Sequence, residues 1–153
     1  MWIWVRRWDG IRVGGWAVIE EREAGSGRLL ACERVKNGIF PGGLGMLIDR
    51  INAGANGGMS FAVGTDSTAF NAAQTGLLAE VFRAGVASLY RSGSTWIIQH
   101  YLSEADANGF SLVEAGLRDD VLGVFLGRFV HAAKAKTSSN TITYTWNVPF
   151  AAA

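Results

Sequence analysis

Few side chains in this 153-residue chain are of the types that perform catalytic or metal chemistry. Its two histidines are His100 and His131. A protein metal site needs more ligands than these at consistent spacing, so we predict that both histidines are structural. Cys32 is the single cysteine, which excludes an intramolecular disulfide and a thiolate metal site.

The remaining candidate groups also lack the partners that chemistry requires. Four carboxylates fall in predicted turns: Glu104, Asp106, Asp119 and Asp120. Acid–base catalysis needs a partner base and calcium binding needs a loop motif, so we predict that these residues form turns. Ser60, Ser67 and Ser88 lie outside any nucleophile elbow, and the glycine clusters match no phosphate or dinucleotide loop. We therefore predict a protein that is not an enzyme and binds no metal or cofactor.

Protein contacts are the better-supported role, because tryptophan and arginine concentrate near the N-terminus. These two residue types are the most enriched at interface hot spots. Glu80 and Arg83 lie three residues apart and can pair locally or across a subunit contact; exposed pairs contribute under about 1 kcal/mol. The predicted interface residues are Trp2, Trp4, Trp8, Trp16, Arg6, Arg7, Glu80 and Arg83.

The clearest structural element is the stretch of residues 141–150. Small polar residues alternate there with the apolar side chains Ile142, Tyr144, Trp146, Val148 and Phe150. Alternation with a period of two is typical of a strand with one buried face. Pro149 cannot donate to a ladder, which places it at a strand end or edge.

The rest of the chain reads as strands joined by short turns, with one helix. Leu44, Leu47, Ile48 and Ile51 form an apolar stripe that predicts a helix over residues 44–53. The segment 76–82 fits either a helical turn or a strand. Further strands are predicted over residues 59–64, 83–91, 95–102, 111–117 and 121–132. The fold class is therefore mainly β: an antiparallel β-sandwich with one short helix and an N-terminal β-hairpin arm.

Two parts of the chain differ in composition. Residues 1–34 form a Trp-rich N-terminal arm with turns at Asp9-Gly10 and residues 24–27, and residues 35–153 form the β-sandwich domain. The arm is either a small sheet packed on the main core or an extension that reaches a neighbouring subunit.

Charge and hydropathy exclude two classes of partner. The net charge is +1, so no broad positive field attracts nucleic acid. Apolar runs are too short to cross a bilayer, and Arg6 and Arg7 interrupt the apolar N-terminus, so we expect neither a membrane span nor a secretory signal. Charged residues make up 18% of the chain, below the usual value of about 25%, which suggests that part of the surface faces protein.

The order of several motifs over residues 35–150 resembles that of tailed-bacteriophage virion proteins, in particular the β-rich module of tail-fibre and baseplate-associated proteins. The pattern begins with a lysine-asparagine turn, a short amphipathic helix and a glycine loop. A strand ending in Ala-Val-Gly-Thr, a Thr-x-Leu…Glu-Val-x-Arg segment, a Glu-x-Gly-Leu strand and a closing Thr/Trp strand follow. The matching parts here are Lys36-Asn37 and residues 44–53, 61–65, 75–83, 113–117 and 141–150.

The resemblance implies a structural protein of the virion, assembled in the host cytoplasm through contacts with other virion proteins. Because only three alanines follow Phe150, we expect a fibre-anchoring or baseplate adaptor rather than a complete fibre. Homo-oligomers close by symmetry, and virion parts of this type are commonly three-fold, so the resemblance also implies a homotrimer. A capsid decoration protein that stabilises the head is an alternative. A host-glycan-binding β-sandwich is another, with Trp96, Tyr101 and Tyr90 as its candidate aromatic residues.

Overall fold

The computed structural model describes residues 11–53 and 58–152, which form two packed antiparallel sheets and one helix. The elements are β1 Ile11–Val13, β2 Trp16–Glu23, β3 Leu29–Lys36, β4 Gly38–Ile39, α1 Pro41–Ala53, β5 Met59–Gly64, β6 Glu80–Gly85, β7 Ser88–Ser92, β8 Thr95–Leu102, β9 Ser111–Asp119, β10 Val124–Ala135 and β11 Asn140–Ala152. This architecture confirms the predicted sandwich, its single short helix and its N-terminal hairpin.

β11 is the central strand of the first sheet, whose order is β3-β2-β11-β8-β7 with β1 also paired to β11. The predicted alternation is confirmed, because Ile142, Tyr144, Trp146 and Val148 are completely buried and Phe150 is half-buried. The second sheet has the order β4-β10-β9-β5-β6. Residues of β11 that face it lie between the two sheets.

The described part of the predicted arm belongs to the first sheet. β2 and β3 form a hairpin, and β2 also pairs with β11 from Trp16 opposite Asn147 to Glu23 opposite Asn140. Ala17 and Ile19 of β2 are completely buried in the core. The boundary predicted at residue 34 falls inside β3, so the hairpin and the sandwich share one sheet.

The core is built around an aromatic cluster with Phe61 at its centre. Its ring centroid lies 5.2 Å from those of His100 and Tyr144 and 6.3 Å from those of Phe129 and Trp146. These residues come from both sheets, so the cluster joins them. The pairs of Phe61 with Phe129, Tyr144 and Trp146 are tilted or edge-to-face, and aromatic pairs of this kind add about 0.5–1.5 kcal/mol each beyond the burial of area.

Two predicted elements differ from the structure. The single strand predicted over residues 83–91 is wrong: β6 belongs to the second sheet and β7 to the first, and Val86 and Ala87 cross between the sheets. The helix begins earlier than predicted, and Leu44 is 41% exposed while Met46 and Leu47 are buried. No helix in the described parts of the chain is long and apolar enough to span a membrane.

The loop between β5 and β6, residues 65–79, is here called the strap. It covers the face of the second sheet that points away from the core, and it reaches across β9 to β10. Leu77 packs over Gly116, where a Cβ atom would come within 2.5 Å of the leucine Cδ1. Phe70 stacks on Phe40 at a centroid distance of 5.4 Å.

A completely buried ion pair holds the strap in place. Arg128 Nε donates to Glu114 Oε2 at 2.6 Å, and both side chains are 0% exposed. Glu114 also accepts hydrogen bonds from the amides of Leu78 and Ala79, at 3.1 and 2.7 Å. Arg128 donates to the carbonyls of Asp66 and Thr68, so the pair is bonded to both ends of the strap.

Both histidines are buried. His131 Nδ1 lies 2.8 Å from the Ala132 carbonyl, which can only accept, and its Nε2 lies 3.3 Å from the Tyr144 hydroxyl. This geometry fits a neutral ring that donates from Nδ1 and accepts at Nε2. His100 stacks on Phe61 in the core. Burial lowers the pKa of each histidine.

We expect the free energy of unfolding to fall as the pH drops from 7.5 to 5.5. The unfolded histidines titrate near pH ~6.5, whereas the folded pKa values are lower, so below that pH the unfolded state binds more protons. Each histidine contributes a loss of up to about 1.4 kcal/mol per pH unit, down to its folded pKa. Urea unfolding at several pH values measures the loss. His131→Leu should reduce the slope, and a flat profile would contradict the prediction.

Candidate interaction surface

The side of the first sheet that points away from the core is here called the outer face. Strand register aligns its side chains in rows across four neighbouring strands. One row runs Trp16, Asn147, Ile97 and Tyr90, and the next runs Val18, Thr145, Gln99 and Ser88. Antiparallel sheets commonly pack one face on the core and present the other to solvent or a partner.

Hydrogen bonds within the outer face orient its polar side chains. Ser88 Oγ donates to Gln99 Oε1 at 2.9 Å, and Gln99 Nε2 donates to Thr145 Oγ1 at 3.3 Å. The Arg34 guanidinium lies 4.3 Å from the centre of the Trp16 ring, in a cation–π contact. These contacts orient the side chains that make them, and side chains that are ordered before binding lower the entropic cost of binding a partner.

The charges of the outer face are confined to one side. Outward residues of β2 and β3 include Glu20, Arg22, Arg34 and Lys36, whereas those of β11, β8 and β7 are uncharged. Tyr90 and Tyr101 are 47% and 49% exposed on the uncharged part. A neutral, aromatic centre beside a charged margin has the composition of a protein interface.

The predicted interface residues do not converge on one place. Trp16 lies half-buried on the outer face. Glu80 and Arg83 lie on β6 of the second sheet, where two hydrogen bonds of 2.7 and 2.8 Å join them locally. The Arg83 guanidinium also lies 5.6 Å from the Phe125 ring centre. The predicted interface residues Trp2, Trp4, Trp8, Arg6 and Arg7 lie outside the described residues.

Two of the four turn carboxylates stabilise turns, as predicted. Asp119 accepts from the amides of Val121 and Leu122 at 2.9 and 3.0 Å. Asp106 accepts from the Ser103 amide and hydroxyl at 2.8 and 2.7 Å. The Ser103 hydroxyl lowers the Asp106 pKa. Within residues 11–53 and 58–152, no group of three or more potential ligands could hold a metal ion.

Sequence reasoning missed the rows of the outer face and the ion pair beneath the strap. The polar parity of β11 was visible, but the residues opposite it on β2 and β8 depend on register. Glu114 and Arg128 lie fourteen residues apart in two strands, and nothing local marks them as partners. The Glu-x-Gly-Leu motif contains Glu114 but does not indicate its burial.

Comparison with protein-family models, with curated proteins and with solved structures finds no match to this chain.

Proposed function

We propose that this chain is a non-enzymatic structural protein of a tailed-bacteriophage virion, in a fibre-anchoring or baseplate role. The proposal starts from the order of motifs over residues 35–150. It is supported by one structural observation, the uncharged part of the outer face that β11, β8 and β7 form in the first sheet. We further propose that other virion proteins and two more copies of this chain are the partners.

The physical argument concerns what an assembly protein needs. It must present a broad surface whose side chains are already ordered, because each side chain that is immobilised on binding costs free energy. Gln99 and Thr145 meet this condition through their mutual hydrogen bond. A charge-poor centre also avoids burying unpaired charges between subunits.

We expect the purified protein to form a trimer, with a mass near three times 16.4 kDa by light scattering after gel filtration. Thr145→Lys places a charge in the middle of the outer face and should shift the mass to that of the monomer. The physical reason is the large cost of burying an unpaired ammonium group in an interface.

Val121→Lys is the matched control, since Val121 is 67% exposed in the β9–β10 turn, away from the outer face. It should leave the mass unchanged, and thermal unfolding of both variants confirms that they are folded. The proposal is contradicted if the unmodified protein is monomeric and mass spectrometry of purified virions does not detect it.

A glycan-binding surface is the second candidate, favoured by Tyr90 and Tyr101. Both rings are exposed on the outer face, Tyr90 on β7 and Tyr101 on the neighbouring β8, which also carries Gln99. Exposed aromatic rings beside amide and hydroxyl groups suit sugars, which present apolar ring faces edged by hydroxyls. Trp96, the third predicted aromatic, has the inward parity and packs against the core. A glycan array separates the candidates, because saturable signal that Tyr101→Ala abolishes would favour this one.

A further inference from the structure

An apolar cavity of about 440 Å³ lies at one end of the sandwich, beside the β7–β8 turn. Its apolar walls come from three elements: Leu47 of α1, Trp96 of β8 and Phe150 of β11. Pockets of this size that are mostly apolar and contain a few polar groups are typical of small-molecule sites. The cavity is separate from the outer face, because Trp96 and Phe150 have the inward parity of their strands.

Backbone contacts hold the cavity walls in position. Trp96 lies opposite Val148 of β11 on one side and opposite Arg91 of β7 on the other. The Phe150 amide donates to the Ser94 carbonyl at 3.0 Å, which ties the β7–β8 turn to the end of β11. The cavity is therefore formed before any ligand binds.

Two arginines line the cavity, and they differ in whether a neighbouring carboxylate compensates their charge. Arg50 Nε is bonded to the buried carboxylate of Asp119, so its charge is compensated. Arg91 is exposed and makes no hydrogen bond or ion pair with any described residue. Its register opposite Trp96 places it on the cavity side of β7. The described lining therefore carries one uncompensated positive charge next to an apolar wall.

We propose that this cavity binds a small apolar carboxylate. The apolar body packs against Leu47, Trp96 and Phe150, and the carboxylate receives hydrogen bonds from the Arg91 guanidinium. A guanidinium presents a planar fork of donors that matches a carboxylate, and the two bonds are charge-assisted. A single uncompensated charge and an apolar lining fit a monocarboxylate better than a polyanion such as a nucleotide. This site goes beyond the proposed role in assembly.

Octanoate is the probe, titrated calorimetrically into the full chain below its micelle concentration. We expect saturable binding of one octanoate per chain and none of octylammonium, which has the same chain length and the opposite charge. Arg91→Gln should weaken octanoate binding at least about tenfold, because it removes one or more hydrogen bonds to a charged group, each of which contributes about that factor to affinity. Arg28→Gln removes an identical charge at the β2–β3 turn, outside the cavity lining, and should bind octanoate normally.

Nuclear magnetic resonance locates the bound probe. The indole N–H signal of Trp96, identified by its loss in Trp96→Phe, should shift with the same affinity that calorimetry measures. Absence of saturable binding overturns the proposal, as does equal binding of octylammonium or equal affinity in Arg91→Gln. Octanoate binding and trimer formation are independent measurements, so a failure of one leaves the other result intact.

Discussion

A chain that begins at residue 35 is expected not to fold. It would lack β2, which lies between β3 and β11 in the first sheet, and most of β3. The loss would expose one side of β11 and remove the completely buried Ala17 and Ile19. The net stability of a domain is only about 5–15 kcal/mol. We expect the lost burial and the lost hydrogen bonds to β11 to cost more than that. Circular dichroism and thermal unfolding of the truncated chain measure the outcome.

Point variants on β2 test the same idea in the full chain. Ile19→Ala should cost about 2–5 kcal/mol, because it leaves a cavity in the core. Val18→Ala, on the neighbouring outward position, should cost about 1 kcal/mol or less. If the truncated chain unfolds cooperatively and Ile19→Ala is harmless, residues 1–34 are an arm independent of the sandwich.

Glu114→Gln is expected to destabilise the protein by about 3–5 kcal/mol, the usual cost of breaking a buried ion pair. The substitution preserves shape but removes the buried counter-charge of Arg128, which then keeps only the partly exposed Asp66 carboxylate, 3.7 Å away. It also replaces one of the two carboxylate oxygens with an NH2 donor, so one of the amides of Leu78 and Ala79, which bond to different oxygens of Glu114, loses its acceptor. Urea unfolding measures the free energy. Hydrogen exchange should show faster exchange at the amides of Leu78 and Ala79.

Glu80→Gln is the matched control, because it removes a carboxylate from a partly exposed arginine pair. Its cost should stay below about 1 kcal/mol, since water solvates both partners. Equal costs for the two substitutions would show that Glu114 contributes no more than a surface residue. Unchanged exchange at Leu78 and Ala79 would show that the ion pair does not hold the strap.

The role of Glu33 on β3 depends on its bonds to β10, a strand that lies far away in the sequence. A register shift in β10 between Val130 and Lys134 leaves the Ala132 amide facing β3. Glu33 accepts from this amide at 3.0 Å and from the Lys134 ammonium at 3.2 Å. Burial raises the pKa of Glu33, but these two donors outweigh it and the net shift is downward. Glu33 thus links β3 of the first sheet to β10 of the second sheet.

The sequence by itself determined the elements whose signal is local. The alternation of apolar residues specifies β11 and β8, whereas β5 is buried at every position and the helix begins before the apolar stripe that predicted it. The β2–β3 hairpin follows from its glycine turn, whose Gly25 and Gly27 adopt positive φ angles. These features depend on neighbours within a few residues, so the local sequence specifies them without any long-range contact.

Only the tertiary structure decided which strands are neighbours and which polar groups are buried. The crossing at Val86 and Ala87 was invisible, because a continuous strand and two strands in different sheets have the same local pattern. Register and the strap bury Glu114 and Arg128 together, and no local pattern marks them as partners. The rows of the outer face and the cavity beside Arg91 likewise combine residues from several strands. Such features arise from long-range pairing, which local propensity and periodicity do not specify.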